Sequence, residues 1–140
     1  MWKDTLDLGV VHYMSYLETI KGLGPTPDLL KECLQDDDFS IIDITHIEDP
    51  NARKQARQIL SDAGVRVVFS GIPPIVFNDY NLSSFDEVLR EASVARGKEL
   101  INEAIFMGAE TIFFISGPDP GTEKRGPAYE KLSESMRALC

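Results

Sequence analysis

The 140-residue sequence holds only two cysteines, two histidines and one tryptophan, and its basic side chains are heavily outnumbered by acidic ones. Each shortage removes a class of protein. Cys33 and Cys140 are too few and too isolated for a disulfide framework or a zinc knuckle, so both read as ordinary reduced thiols. Lys and Arg total 14 against 23 Asp and Glu, a formal charge of −9. An acidic surface repels phosphate backbones, and no nucleic-acid partner is expected. The same balance leaves room for a local basic pocket that takes a phosphorylated small molecule. No apolar run reaches the roughly 18 residues of a membrane span, so no membrane partner is expected either. The opening stretch MWKDTLDL has neither the apolar core nor the small-residue cleavage site of a leader. The simplest expectation is an intracellular, cytoplasmic protein.

Catalytic motifs with a fixed spacing are missing too. No G-x-G-x-x-G follows any apolar run, and there is no P-loop, no G-x-S-x-G elbow, no C-x-x-C and no H-E-x-x-H. Dinucleotide and P-loop nucleotide binding are thereby disfavoured. The run Asp36-Asp37-Asp38 resembles a metal site only superficially and reads as a solvated turn between helix and strand.

What remains is an ordinary globular composition, 43% hydrophobic and 26% charged, of a size that fits a single domain over residues 1–140. The order of its elements is informative. Apolar, β-branched runs at 6–13, 40–47, 65–71 and 110–116 read as buried strands. Between and after them, helical spacing appears at 27–37, from Pro50 to a stop at Gly64, at 85–107 and at 128–139. Ser84 with Glu87 resembles a capping box for the third of these. Phe85, Val88, Leu89 and Ala92 followed by Ile101, Ala104 and Ile105 are its expected buried face, and Gly108 its stop. In the last helix the expected buried residues are Tyr129, Leu132, Met136 and Leu139.

Four consecutive βα units with near-continuous apolar strands predict an α/β fold with a parallel sheet covered by helices. Two architectures satisfy that order. One is half of a TIM (β/α)8 barrel, which needs about 250 residues when whole. The other is an open flavodoxin-like sheet.

In both, function sits at the carboxyl ends of the strands. The first strand ends on His12 and Tyr13, and the second on Asp43, Thr45 and His46. Ser70 closes the third, and Ser116, Asp119, Lys124 and Arg125 follow the fourth. His12 and His46 can act as acids, bases or ligands, or merely bond a neighbour. Asp43 interrupts the apolar run IIDIT, where a buried carboxylate needs a partner or a polar interior. By alternation Asp43 and Thr45 share one face while Ile42, Ile44 and His46 share the other. His46 therefore joins Asp43 only by leaving strand geometry. Ser70-Gly71 and Ser116-Gly117 form matching strand-end pairs, suited to sugar hydroxyls or phosphate oxygens, or simply to tight turns.

These residues carry a resemblance. The stretch from Asn81 to Gly117, with Ser84, Asp86 and Arg90 in S-x-D-x-x-x-R and Ala104, Gly108 and Ala109 in A-x-x-x-G-A, resembles the xylose isomerase-like TIM barrels. The strand FSIIDITHI resembles the second strand of that superfamily, with Asp43 where glutamate is usual. The likeness runs from Leu8 to the last residue, although only the central stretch is specific. It implies a sugar (phosphate) isomerase/epimerase-like protein that moves a proton on a keto-sugar or polyol with help from a divalent ion, Mn²⁺ or Mg²⁺. The carboxylate and histidine ligands of such an ion lie on the last four strands of these barrels, so none is expected here. On that reading the chain is the N-terminal half of the barrel, and His12, Asp43, His46, Ser70 and Ser116 contribute to the substrate pocket. The zinc-binding histidines of the endonuclease IV branch have no counterpart, since Ser70 and the Ile115-Ser116 pair stand in their places.

A different class of function follows from the same order. Half a barrel exposes two strand edges and an inner face, which favours a non-catalytic assembly module. Its partner would be a second copy, making a homo-oligomer, or a complementary half-barrel.

Overall fold

A computed structural model describes residues 6–140. Residues 1–5 of the stretch read for a leader lie outside the described residues. Four strands, β1 (Leu8–Val11), β2 (Phe39–Thr45), β3 (Arg66–Ser70) and β4 (Thr111–Phe113), form one sheet in the order β1-β2-β3-β4. Every pairing is parallel. Each strand lies beside the next in sequence, as in a barrel wall, whereas a flavodoxin-like sheet places its first strand inside the second. The open-sheet alternative is thereby set aside: the fold is α/β and matches part of a TIM barrel.

The α-helices among the described residues are α1 (His12–Ser15), α2 (Thr26–Cys33), α3 (Pro50–Ala63), α4 (Ile72–Val76), α5 (Glu87–Met107) and α6 (Arg125–Leu139). Their boundaries have local causes. Asp49 caps α3 by accepting from the amides of Asn51 and Ala52, and Pro50 occupies the first turn, where no amide is needed. Gly64 and Gly108 end α3 and α5. Asp86, rather than Ser84, caps α5 through the amides of Val88 and Leu89, while the Ser84 hydroxyl accepts from the Asp86 amide. The α4 turn, rich in proline, lies between the segments read from sequence as the third strand and the third helix.

The core lies between the sheet and the helices. Ile42 and Ile44 of β2 and Val67 and Phe69 of β3 bury against Leu30 of α2, Leu60 of α3 and Leu100 of α5. Each such side chain contributes roughly 1.5–3 kcal/mol on burial. Cys33 belongs to this core as a free thiol, and burial pushes its pKa up, while Cys140 is exposed.

The expected helix faces need correction. Val88 is 78% exposed and Phe85 49%, while α5 buries Arg90, Ser93, Gly97, Leu100, Glu103, Ala104 and Met107. Small residues let α5 approach its neighbours closely, and Arg90 and Glu103 enter only because they are paired. Arg90 joins Ser135 and Glu134 of α6, and also bonds Glu87. In the same way α6 buries Ala128 and Ser135 and leaves Tyr129 68% exposed. The Ser135 hydroxyl donates to the Leu82 carbonyl at 2.7 Å.

Candidate functional site

The face of the sheet opposite the core is set by register. Val11, Asp43, Val68 and Thr111 pair across the four strands, and Thr45, Ser70 and Phe113 pair one step nearer the carboxyl ends. Neighbours in register point the same way, so these residues share the face that a barrel turns inward.

Asp43 is half-buried there, and its Oδ1 is buried without a hydrogen-bond partner. Burial pushes its pKa up from the ordinary 3.8 to about 7. A carboxyl poised near neutrality can donate or accept a proton, and its unpartnered oxygen has capacity for a further hydrogen bond. Around it stand hydroxyls. Tyr13 is buried and lies beside the Ser70 side chain and within the field of Asp43; burial raises its pKa, the Asp43 charge adds to that and the Ser70 side chain acts against it. Ser70 is fully buried, and its hydroxyl accepts from the Ile72 amide at 3.3 Å. Thr45 donates to the Ser70 carbonyl at 2.8 Å, which ties β2 to β3 beneath the group. The arrangement sets one carboxyl of raised pKa beside the Tyr13, Thr45 and Ser70 side chains.

Both glycines after the strand-end serines answer to packing. A Cβ on Gly71 would collide with the Phe114 ring, and one on Gly117 would collide with the Asn81 side chain. Gly117 also holds a φ of 131°, which other residues rarely adopt.

The remaining residues singled out from sequence lie elsewhere. His12 opens α1, is buried, and lacks a partner at Nε2. Burial lowers its pKa to about 4, against the opposing charge of Glu18 and the Leu29 backbone, so the ring is neutral near pH 7. Its ring lies 5.0 Å from that of Tyr16.

His46 leaves the strand on the helix side. Its Nδ1 is 2.6 Å from Glu103 Oε2, and its Nε2 is 3.0 Å from Glu48 Oε2. Burial alone would lower its pKa, but the bonds and charges of Glu103 and Glu48 outweigh that and raise it. Glu103, 5% exposed, also accepts from the Ile47 amide at 2.9 Å and pairs with Arg53 at 3.2 Å.

Ser116 is exposed, and its carbonyl accepts from the Ser83 amide at 3.1 Å. It lines a separate cavity of about 250 Å³ with Asp119 and Arg125, which pair at 2.6 Å. The structure therefore brings Asp43 and Ser70 together and places His12, His46 and Ser116 apart from them.

Tyr13 and Thr45 complete the inner cluster. Both were read from sequence as strand-end residues, and Tyr13 falls in the first turn of α1, beyond the end of β1. No sequence signal distinguishes buried Glu103 from solvated Glu99 one turn earlier.

Among the described residues no three His, Cys, Asp or Glu side chains are grouped so as to hold a metal ion. Asp43 stands with hydroxyls, so the residues present do not by themselves fit the hard divalent ion that the resemblance implies. No helix among the described residues is long and apolar enough to cross a membrane.

Fold and site thus define an α/β chain whose sheet is a segment of a TIM barrel wall, with a polar cluster on the inward face. Solved structures give that segment its relatives. The chain is similar to an L-ribulose 3-epimerase, with a TM-score of 0.65 at 17% identity, over 94% of this chain and 45% of that one. It is also similar to the D-psicose 3-epimerase of Clostridium cellulolyticum H10, solved with D-tagatose, with a TM-score of 0.73 at 14% identity over 96% of this chain and 47% of that one. Both are xylose isomerase-like TIM barrel enzymes. The chain thus spans about half the length of the structures it matches. The sequence matches no protein-family model and no curated protein sequence.

Proposed function

We propose that this chain supplies the sugar-binding wall of a sugar (phosphate) isomerase/epimerase-like barrel, of which it forms the N-terminal four βα units. The observation that carries the reading is the buried, unpartnered oxygen of Asp43 beside Ser70 and Tyr13, on the inward face of a fold shared with sugar epimerases. Asp43 binds a sugar hydroxyl and exchanges a proton with it. Ser70, Thr45 and Tyr13 orient the neighbouring hydroxyls and keep water from the carboxyl. Metal-assisted proton transfer on a keto-sugar would draw its metal ligands from strands beyond these four.

Saturation-transfer NMR with D-tagatose and L-ribulose tests this reading. Binding is expected, and Asp43→Asn or Ser70→Ala is expected to weaken it about tenfold, as loss of one hydrogen bond to a charged group would. Equal binding by the folded Asp43→Asn protein would count against the reading.

A second reading, an assembly module, is favoured by Val11, Ile41 and Val68, which stand incompletely covered on the inward face, and by the free edges of β1 and β4. Sedimentation of the chain separates the two, because a stable monomer at high concentration contradicts the module.

A further inference from the structure

On the helix side of the β2 and β3 carboxyl ends lies a second cavity, of about 460 Å³, within the usual range for small-molecule sites. His46, Lys21 and Arg96 reach it, with Glu48, Glu99 and the ring of Phe77. We propose that this cavity is an oxyanion site that takes the phosphoryl group of a small phosphorylated molecule, bound by His46, Lys21 and Arg96.

The geometry of His46 is the first argument. A carboxylate sits on each ring nitrogen, Glu103 at 2.6 Å and Glu48 at 3.0 Å, and both nitrogens can donate only when the ring is imidazolium. The two carboxylates differ. Glu103 is buried and held by the Ile47 amide and Arg53, so it fixes the ring as a carboxylate does in a catalytic triad or a metal site. The Glu48 side chain is 69% exposed and holds only this one bond. It shows that Nε2 can donate to an oxyanion, and Glu48 is free to be displaced by a better one.

Lys21 supplies the second argument. Its ammonium pairs with no carboxylate among the described residues and rests over the Phe77 ring, 5.1 Å from the centroid. Arg96 bonds Glu99 at 2.7 Å through one nitrogen, which leaves further donors of its fork. A phosphoryl group carries about two charges at neutral pH and three acceptor oxygens, which matches three cationic donors better than the Glu48 carboxylate on His46 and the Glu99 carboxylate on Arg96 do. The walls of Ile20, Pro73, Pro74 and Phe77 would cover an uncharged remainder. In a chain of net charge −9, three cations turned to one cavity mark a local exception.

The site stands independently of the sugar-binding reading, since Asp43 lies on the opposite face of the sheet. The test is titration of inorganic phosphate into the chain at constant ionic strength, read on the His46 ring nitrogens by NMR. A saturable shift of Nε2 is expected. Lys21→Met should weaken binding about tenfold, the effect of losing one charge-assisted bond. Glu48→Gln should tighten it, because the resident competitor is gone. Asp43→Asn should leave it unchanged. A shift that fails to saturate, or one reproduced by equal acetate, would overturn the assignment. So would a Lys21→Met protein that binds phosphate as tightly as the parent.

Discussion

Asp43 and Glu103 are both carboxylates held inside this protein, on opposite sides of one strand, and the fold treats them in opposite ways. Glu103 is answered by His46, the Ile47 amide and Arg53, so both of its oxygens are engaged. Asp43 keeps one buried oxygen without a partner and a pKa raised by burial to about 7. A carboxylate with every lone pair engaged fixes the chain around it. One left unanswered is a cost to stability that a ligand can relieve. The difference separates the side of the sheet that holds the protein together from the side with chemical capacity to spare.

The largest effect should come from breaking the satisfied side. Glu103→Ala leaves His46 and Arg53 without their shared acceptor and should cost about 3 kcal/mol in urea unfolding, at the low end for a broken buried pair because His46 can shed its proton. A loss below about 0.5 kcal/mol, the size of a surface change, would mean the network holds nothing.

The unanswered side should behave in the reverse sense. Asp43 has a folded pKa raised from 3.8 to about 7, so its contribution to stability is complete below about pH 4 and is lost as pH rises through about 7. Asp43→Asn should therefore stabilise the protein at pH 8, by about 2 kcal/mol once 1.36 kcal/mol per unit is discounted for the solvent that screens a half-buried group, and change little at pH 4. Thermal melts at the two pH values check this, and equal shifts at both would break the contrast.

The two histidines offer a finer comparison, readable from ring chemical shifts without any variant. His12 should stay neutral down to about pH 4, whereas His46 should titrate above its ordinary value of 6.5. The signs follow from these directions. The depressed pKa of His12 costs stability as pH falls from 6.5 towards 4, while the bonds of His46 stabilise below 6.5 and fade as pH rises through its raised pKa. Titration of both rings at one pH would remove the distinction. The smallest effect should be Thr45→Val, which deletes the bond to the Ser70 carbonyl and should cost about 1 kcal/mol in the same unfolding assay.

The residues that carried the resemblance turn out to serve construction. Ser84 and Asp86 shape the start of α5, Arg90 ties α5 to α6, Ala104 packs in the core and Gly108 ends the helix. That stretch reports a shared backbone path rather than a shared reaction, which fits a likeness visible in structure at 14% and 17% identity. The helix faces were the least legible part. Apolar spacing singled out Phe85, Val88 and Tyr129, all exposed, because α5 and α6 meet where Arg90 bonds Ser135 and where Gly97 lies against Leu139. Close approach of small residues leaves no apolar period to read.

The sequence by itself determined the four βα units and the helix stops at Gly64 and Gly108, because strand composition and capping chemistry are local properties. It also determined, by the two-residue period of a strand, that Asp43 and His46 face opposite ways. Tertiary structure alone decided the strand order, which requires knowing which edges meet. It alone decided that Tyr13 reaches Ser70 beside Asp43, and that Glu103 crosses from α5 to hold His46 across 57 positions of sequence. Such pairings form between segments far apart in the chain, and no local pattern records them.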